Sequence, residues 1–401
     1  MIVFDDSSVS SFYPLALTRS VGDLRCGILK LRQRLQALFG GEEDSLWIED
    51  RLADLYRERH PEWQVNRGPE GGELCVNSRL MVTDEAIRLV QGLKPGQALV
   101  NSDILLAFRP TQNLPGIPTT PAEAGCEAVP CDLDCYINLS DLIHDNDRLL
   151  RYDFDRFFGD KDNYFETEPG VTALNPYQIW IAEGVELKPG VVLDASYGPI
   201  ILDEGVKILP NAVLTGPVYI GKNSLIKVGA KLYGPSSIGA VCKVGGEVEG
   251  SIFQAYSNKQ HDGFLGHSYV GEWVNIGADT NNSDLKNTYK NVSLYSYPTR
   301  GKIDSGTMFL GALIGDHVKL GINTSINTGC VIGVGSNLWG SALISDFIPD
   351  FSWGMAGNLE IYRFEAFCQT AVLVKNRRKL AFTSAEEAIY KRLWSELGRG
   401  E

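Results

Sequence analysis

GGEVEGSIFQAYSNKQHDGFLGHSYVGEWVNIGADT, residues Gly245–Thr280, is the stretch on which the fold turns. It follows a run in which every sixth residue is aliphatic: Leu202, Ile208, Leu214, Ile220, Ile226, Leu232, Ile238 and Val244. A polar, His-bearing loop then breaks the beat. Val270 and Ile276 resume it, and Ile314, Leu320, Ile326, Ile332 and Leu338 extend it. A period of six fits neither a helix nor an alternating strand. It fits a parallel β-helix, in which short strands turn at fixed intervals and stack one apolar side chain per turn inward. Gly216, Gly221, Gly229, Gly234 and Gly239 recur near those residues, where tight corners call for positive φ.

The chain has 401 residues, enough for two or three domains with sizeable cores. Its net charge of −13 argues against a nucleic-acid or acidic-membrane partner. The start, MIVFDDSSVSS, lacks a basic segment followed by an apolar core, and no apolar run spans a bilayer, so the expected location is cytoplasmic. Of eight cysteines, Cys126, Cys131 and Cys135 cluster in CEAVPCDLDC, but without a CxxC or an evident fourth ligand they read as reduced thiols.

Residues 1–165 read as an α/β domain. Strands are expected at Met1–Phe4, Ser45–Ile48, Glu73–Val76 and Ala98–Val100, and helices at Val21–Phe39, Glu85–Gly92 and Leu142–Phe158. The β-helix follows over 170–347, with one departure at Asn281–Ser305, a loop of the kind that serves binding on a repeat scaffold. A helical tail, 348–401, holds helices over Leu359–Lys375 and from Thr383-Ser384-Ala385-Glu386, of capping-box form, to about Leu397. The basic KNRRK between them (Lys375–Lys379) suits a helix C-terminus, with phosphate binding as the alternative.

HDGFLGHSYVGEWVNIGADT (His261–Thr280) resembles the acetyltransferase half of the GlmU family, H-x-x-Y-x-G-D-x-x-I-G-x-x-V-N-I-G-A-G-T, without a gap. IGDHVKLGINTSI (Ile314–Ile326) resembles a further coil of that family. The resemblance implies a left-handed β-helix and a homotrimer with sites between neighbouring β-helices; the general crossover rule alone would suggest the other hand. It also implies acetyl-CoA as acyl donor and a sugar phosphate or nucleotide-sugar as acceptor. Phe264 stands in place of a substrate-binding tyrosine, His267 in place of an aspartate, and Glu249 near a sugar-phosphate-binding lysine. At the N-terminus, PLALTRSVGDLRCGILKLRQRL (Pro14–Leu35) resembles the tail of the sugar nucleotidyltransferase signature, with FDDSSVSS in place of its glycine-rich phosphate loop. VNSDILLAF (Val100–Phe108) resembles that family's strand-end magnesium site, which would make Asp103 a Mg²⁺ ligand.

Acyl transfer needs a base, oxyanion donors and groups that hold the coenzyme A nucleotide. Imidazole titrates near neutral pH, so His261 is the candidate base. Asn275 is placed to orient the acceptor, or to stack as a corner asparagine, and the backbone near Ala278 to meet the oxyanion or the cofactor. Lys286, Lys290, Arg300 and Lys302 are candidates for coenzyme A phosphates. Arg19, Arg25 and Lys30 are candidates for a nucleotide or sugar phosphate, Arg19 first because it holds the signature's basic position. Two other readings stand beside acyl transfer: nucleotidyl transfer by the N-domain, and a non-catalytic sugar-nucleotide scaffold. Zinc ligation by His261, His267 and His317, as on other hexapeptide scaffolds, is a minor one.

Overall fold

The aliphatic beat forms the core of a three-faced parallel β-helix. All fifteen residues of the count, Leu202 through Leu338, lie in one buried cluster. In the computed structural model, which describes residues 1–41, 45–159, 161–164 and 169–397, the chain winds through three parallel sheets. The first face has nine strands, from Ile179–Ile181 to Phe347–Ile348. The second has ten, beginning at Glu186–Leu187 and closed by an antiparallel last strand, Asn358–Ile361, and the third has six, from Thr172–Leu174 to Phe264–Gly266. The α/β domain, the parallel β-helix and the C-terminal helices expected from the sequence are all present. The expected domain limits at residues 165 and 401 fall outside the described residues.

The opening stretch is not a break in the coil. Strands Glu247–Glu249, Ile252–Phe253, Asn258–Lys259 and Phe264–Gly266 continue the three sheets in register. Their inward residues are Val248, Phe253, Lys259 and Leu265. The first steps after Val244 are shorter than six residues, which disguised them. Corner glycines also act less through φ than expected: Gly229 and Gly234 have positive φ, whereas Gly239 is needed because a Cβ there would lie 1.5 Å from the Gln254 carbonyl oxygen.

The N-terminal domain is built on a seven-stranded sheet: β1 (Ile2–Phe4), β2 (Ser45–Trp47), β3 (Gln64–Val65), β4 (Cys75–Asn77), β5 (Gln97–Asn101), β6 (Ile104–Arg109) and β7 (Glu127–Pro130). Their order is β3-β2-β1-β4-β6-β5-β7, parallel through β4. The chain leaves β1 toward one side and returns as β4 on the other, which makes the carboxyl ends of β1 and β4 a topological switch point. Helices α1 (Leu31–Phe39), α2 (Asp50–Arg59), α3 (Asp84–Gln91) and α4 (Leu139–Phe157) complete it.

The helix expected over Val21–Phe39 is shorter. Val21–Asp23 is a single 3-10 turn, and α1 starts at Leu31. Between them Gly27 takes φ +78°, and a Cβ there would meet Asp153 and Leu149 within 2.8 Å, so a helix cannot pass. The helical spacing of Leu24 and Ile28 reflects burial in a loop instead.

This domain is bound to the first face of the β-helix. Outward residues Ile252, Tyr269, Leu313 and Val331 share a core with Phe12, Leu15, Leu24 and Leu142. Tyr269 donates to the Arg25 carbonyl at 2.7 Å and Ser237 to that of Gly27 at 2.9 Å. The departure at 281–305 joins the same seam. Its hairpin, Ser293–Ser296 with Gly301–Asp304, buries Leu294 and stacks Tyr295 on Phe347 at 3.8 Å. It packs the junction.

In the tail, Leu359 belongs to a strand, Asn358–Ile361, and the helix α5 (Phe364–Asn376) starts later than expected. The helix α6 (Ser384–Leu397) packs on α2. Its N-cap is half a capping box: Glu386 N–H donates to Thr383 Oγ1 at 3.3 Å, while the Glu386 carboxylate is turned to a buried ion pair with Lys375. Among the described residues no helix is long and apolar enough to cross a membrane.

Candidate active site

His261 sits on the corner that leads from the second face, after Asn258–Lys259, to the third, before Phe264–Gly266. Its side chain is exposed in an open groove shared with Lys227, Gly246, Gln260 and Ala278. The register of Lys259 with Val244 and Ile276 stacks this corner between Gly246 and Ala278, two residues too small to cover the imidazole. Gly246 has φ +70°, and a Cβ there would lie 2.6 Å from the His261 carbonyl oxygen. From inside the coil the Lys259 ammonium donates to the carbonyls of Gly245 (3.0 Å), His261 (3.1 Å) and Gly263 (2.5 Å). Burial pushes its pKa down to about 8. Lys259 was missed; its sequence signal is a lysine in an inward slot of the repeat.

The other residues expected around His261 divide between the two faces that meet there. Asn275 is exposed on the second face, in a cleft that Gln260 joins to the His261 groove. Phe264 and Glu249 lie on the third face in adjacent strands. The Phe264 N–H donates to Asn281 Oδ1 at 2.8 Å. Burial raises the Glu249 carboxyl, and nearby His267 partly offsets it. Ala278 lines the His261 groove.

The three histidines considered for zinc stand on three different corners. His267 lies between the third and first faces, with Nδ1 2.8 Å from Asp284 Oδ2, a carboxylate–imidazole pair the sequence reading missed. His317, between the first and second faces, is 3% exposed, stacked on Trp273 and surrounded by Phe367, Phe382 and Tyr390. Within one chain they do not converge. Among the described residues no group of three His, Cys, Asp or Glu side chains is arranged to hold a metal.

Residues 1–161 match the family model of the sugar nucleotidyl transferases. The bifunctional protein GlmU of Synechococcus elongatus is 27% identical over 231 residues, covering 53% of this chain and 47% of that protein. A bifunctional sugar-1-phosphate nucleotidylyltransferase/acetyltransferase of Sulfurisphaera tokodaii is 34% identical over 166 residues, covering 41% and 39%. The matches thus span less than half the length of either relative. Among solved structures, the Arabidopsis UDP-N-acetylglucosamine acyltransferase aligns with 57% of this chain and 92% of that one, at 14% identity and a TM-score of 0.26. Over these parts of its length the chain is similar to GlmU. Its curated relatives are transferases.

The nucleotidyltransferase-like signature is turned toward the β-helix. Thr18 Oγ1 donates to Asp316 Oδ2 at 2.6 Å, and the Arg19 guanidinium bonds Asp316 and, at 3.1 Å, Glu272. Burial acts to raise both carboxyls. Arg19 and Arg59 outweigh it at Glu272 and hold that group low, whereas Asp316 stays raised. Arg25 bonds the Ile28 carbonyl and stacks on Tyr219, 5.1 Å from the ring centre. Lys30 pairs with Asp23 at 2.9 Å. None of the three lines the cleft at the carboxyl ends of β1 and β4. Arg19 and Arg25 reach across the domain junction to the β-helix, whereas Lys30 pairs within the N-domain; Arg19 and Lys30 line a separate cavity together with Arg32, Arg59 and Glu272.

That cleft, about 280 Å³, is lined by Asp5, Asp6, Arg79 and Asp103. Asp5 takes the N–H groups of Val21 (3.0 Å) and Gly22 (3.4 Å) and the Ser78 hydroxyl (2.7 Å). Its own carboxylate therefore occupies donors of the sort that bind phosphate. Asp6 is engaged by Arg79 and Asn77. Asp103 is exposed beyond β5. Asp5 and Asp6 are thus engaged by protein donors, which leaves Asp103 as the exposed carboxylate of the cleft that would hold a Mg²⁺ ion, a metal usually bound through one or two carboxylates and the substrate phosphates.

The cations of the 281–305 departure are not gathered at a site. Lys286 donates to the Asn291 carbonyl at 2.7 Å and Lys302 pairs with Asp346 at 2.7 Å. Lys290 and Arg300 are exposed, and none of the four lines the His261 groove or the cleft beside it. The departure's hydrophobic residues sit in the domain seam, which accounts for its length.

Proposed function

We propose that this chain transfers an acyl group from a coenzyme A thioester to an amine or hydroxyl of a sugar phosphate or nucleotide-sugar, with His261 as general base. The observation that carries the reading is the His261 corner: an open imidazole between Gly246 and Ala278, its backbone held from inside the coil by Lys259. Acetyl-CoA would supply the activated acyl group. His261 accepts the proton of the attacking amine or hydroxyl, and Asn275 and Phe264 flank it on either side of the corner to receive the acceptor. Glu249 disfavours a phosphate at the position where the related enzymes carry a lysine, which shifts the reading away from glucosamine-1-phosphate. Outward residues of the third face, among them Thr172, Leu174, Val213 and Lys231, are exposed and would meet neighbouring copies in the homotrimer that the family resemblance implies. A cytoplasmic location belongs to the same reading.

The test is thiol release from acetyl-CoA with a panel of amino-sugar phosphates and nucleotide-amino-sugars. Turnover is expected with the wild type, and His261→Ala is expected to lower it about 10²–10⁴-fold, the usual range for a general base. Undiminished turnover in the variant would remove His261 from the chemistry.

The match of residues 1–161 favours a second reading, nucleotidyl transfer to a sugar-1-phosphate by the N-domain. The occupation of its backbone donors by Asp5 weighs against it. Pyrophosphate release from an NTP panel with Mg²⁺ separates the two, and ligand-induced stabilisation without any turnover would favour a binding scaffold.

A further inference from the structure

The cleft beside the His261 groove lies between the second face and α5, with a volume of about 350 Å³, within the range of small-molecule sites. Four cations reach it from separate segments: Lys243 and Lys319 from strands of the β-helix, Arg377 and Arg378 from the end of α5. No carboxylate is among its described lining residues, in a chain of net charge −13. Asn258, Asn275, Gln260 and Thr370 add neutral hydrogen-bonding groups, and the stacked rings of Tyr256 and Trp273, 4.4 Å apart, form a wall. We propose that this cleft binds the phosphate groups of a nucleotide-bearing ligand.

Two observations set it apart from an ordinary charged surface. Elsewhere on α5 the basic run is neutralised: Lys375 is buried against Glu386. Within the cleft Lys243 faces Arg377 and Arg378. Burial, and then Arg378, Arg377 and Lys227, push the Lys243 pKa down, and burial pushes that of Lys319 to about 7. Lys319 donates to the carbonyls of Trp273 (2.6 Å) and His317 (3.0 Å). Arg378 reaches Asn258 Oδ1 at 3.1 Å, while its Nε is buried with no partner among the described residues. The helix dipole explains cations at the end of α5 but not Lys243 and Lys319, which belong to other elements. A bound phosphate relieves the repulsion between Lys243 and the two arginines, and guanidinium forks and ammonium groups are the usual partners of such an anion.

Because Gln260 borders both spaces, a nucleotide held here places the remainder of its ligand toward His261. This continuity rests on the proposed function. Phosphate binding itself does not. The nucleotide belongs either to coenzyme A or to a nucleotide-sugar acceptor, and the chemistry recognised is the same.

Calorimetric titration of the full chain with coenzyme A, UDP, dTDP and inorganic pyrophosphate tests this without any turnover. Binding by at least one nucleotide is expected, weakening as salt is raised. The double variant Lys243→Gln/Arg377→Gln is expected to weaken it at least tenfold while keeping the wild-type melting temperature. Among the described residues neither has a buried partner, so the variant separates binding from folding; Arg378→Gln provides an independent loss. A preference for coenzyme A assigns the cleft to the acyl donor, and a preference for UDP or dTDP assigns it to the acceptor. Absence of binding by all four probes, or equal binding by wild type and double variant, overturns the proposal. Failure of thiol release with intact nucleotide binding would overturn acyl transfer and leave the cleft standing.

Discussion

The Lys259 ammonium lies 3.1 Å from the carbonyl oxygen of His261, inside a coil whose neighbouring inward residues are Val244 and Ile276. An apolar side chain would suit the stack better on hydrophobic grounds alone. The lysine instead gives three corner carbonyls a donor, and so fixes the backbone that presents the imidazole.

Lys259→Met keeps the stem of the side chain and removes the ammonium. It leaves the Gly245, His261 and Gly263 carbonyls without that partner, at a cost of about 1–3 kcal/mol for buried acceptors left unsatisfied. Urea denaturation should show a loss of this size, hydrogen exchange should rise at residues 260–263, and acyl transfer should fall at least tenfold. Unchanged exchange at that corner would mean that Lys259 does not hold it.

Gly246 meets the same corner from the preceding coil. Its φ of +70° and the 2.6 Å approach of a built Cβ to the His261 carbonyl make Gly246→Ala both strained and crowded. The β-helix should survive, at a cost of about 1–3 kcal/mol, while thiol release drops at least tenfold. A variant with wild-type turnover would show that the corner tolerates displacement.

Arg19 is expected to act as a structural cation of the domain junction. Removing one partner of a buried ion pair costs about 3–5 kcal/mol, because the other is left uncompensated. Arg19→Met should therefore destabilise strongly, and adding Asp316→Asn should recover part of the loss. Simple additivity of the two losses in a double-mutant cycle would rule out coupling between the residues.

The repeat was legible because one inward side chain per turn leaves a period that any reader of the sequence can count. Its continuation through Val248, Phe253 and Lys259 was hidden, since two steps contract and the third residue is charged. Pairings that depend on tertiary distance were hidden for a different reason: Asp316 lies 297 residues from Arg19, and neither sequence neighbourhood announces the other. The His267–Asp284 pair is an intermediate case. Its seventeen-residue separation is that of Lys259 and its stacking partner Ile276, so coil spacing could have found it. Helical spacing at Leu24 and Ile28 misled because burial in a loop can mimic one face of a helix; Gly27, with its positive φ, was the local sign of a break. His261 and Ala278 lie within the motif, whereas Gly246 and Gln260 join them only through the stacking of the coils, and the basic cleft required α5 to fold back over the second face.

Asp5 offers a prediction on the N-domain. Burial raises its carboxyl to about 6, against the opposing pull of Ser78, Ser20 and the N–H groups of Val21 and Gly22. The unfolded value is about 3.9. The folded state therefore holds the proton more tightly, so the contribution to stability is fully present below about pH 4 and is lost as pH rises through about 6. A shift of this size corresponds to about 3 kcal/mol. Asp5→Asn cannot titrate but still offers one acceptor oxygen to the same donors. Urea denaturation of both proteins should therefore show the variant gaining on the wild type by about 2–3 kcal/mol between pH 4 and pH 7.5. A difference that does not change with pH would mean that Asp5 binds its proton equally in the folded and unfolded chains. If the gain is seen, the cleft at the carboxyl ends of β1 and β4 carries a built-in carboxylate that is costly to ionise, on donors that a nucleotide phosphate would otherwise need.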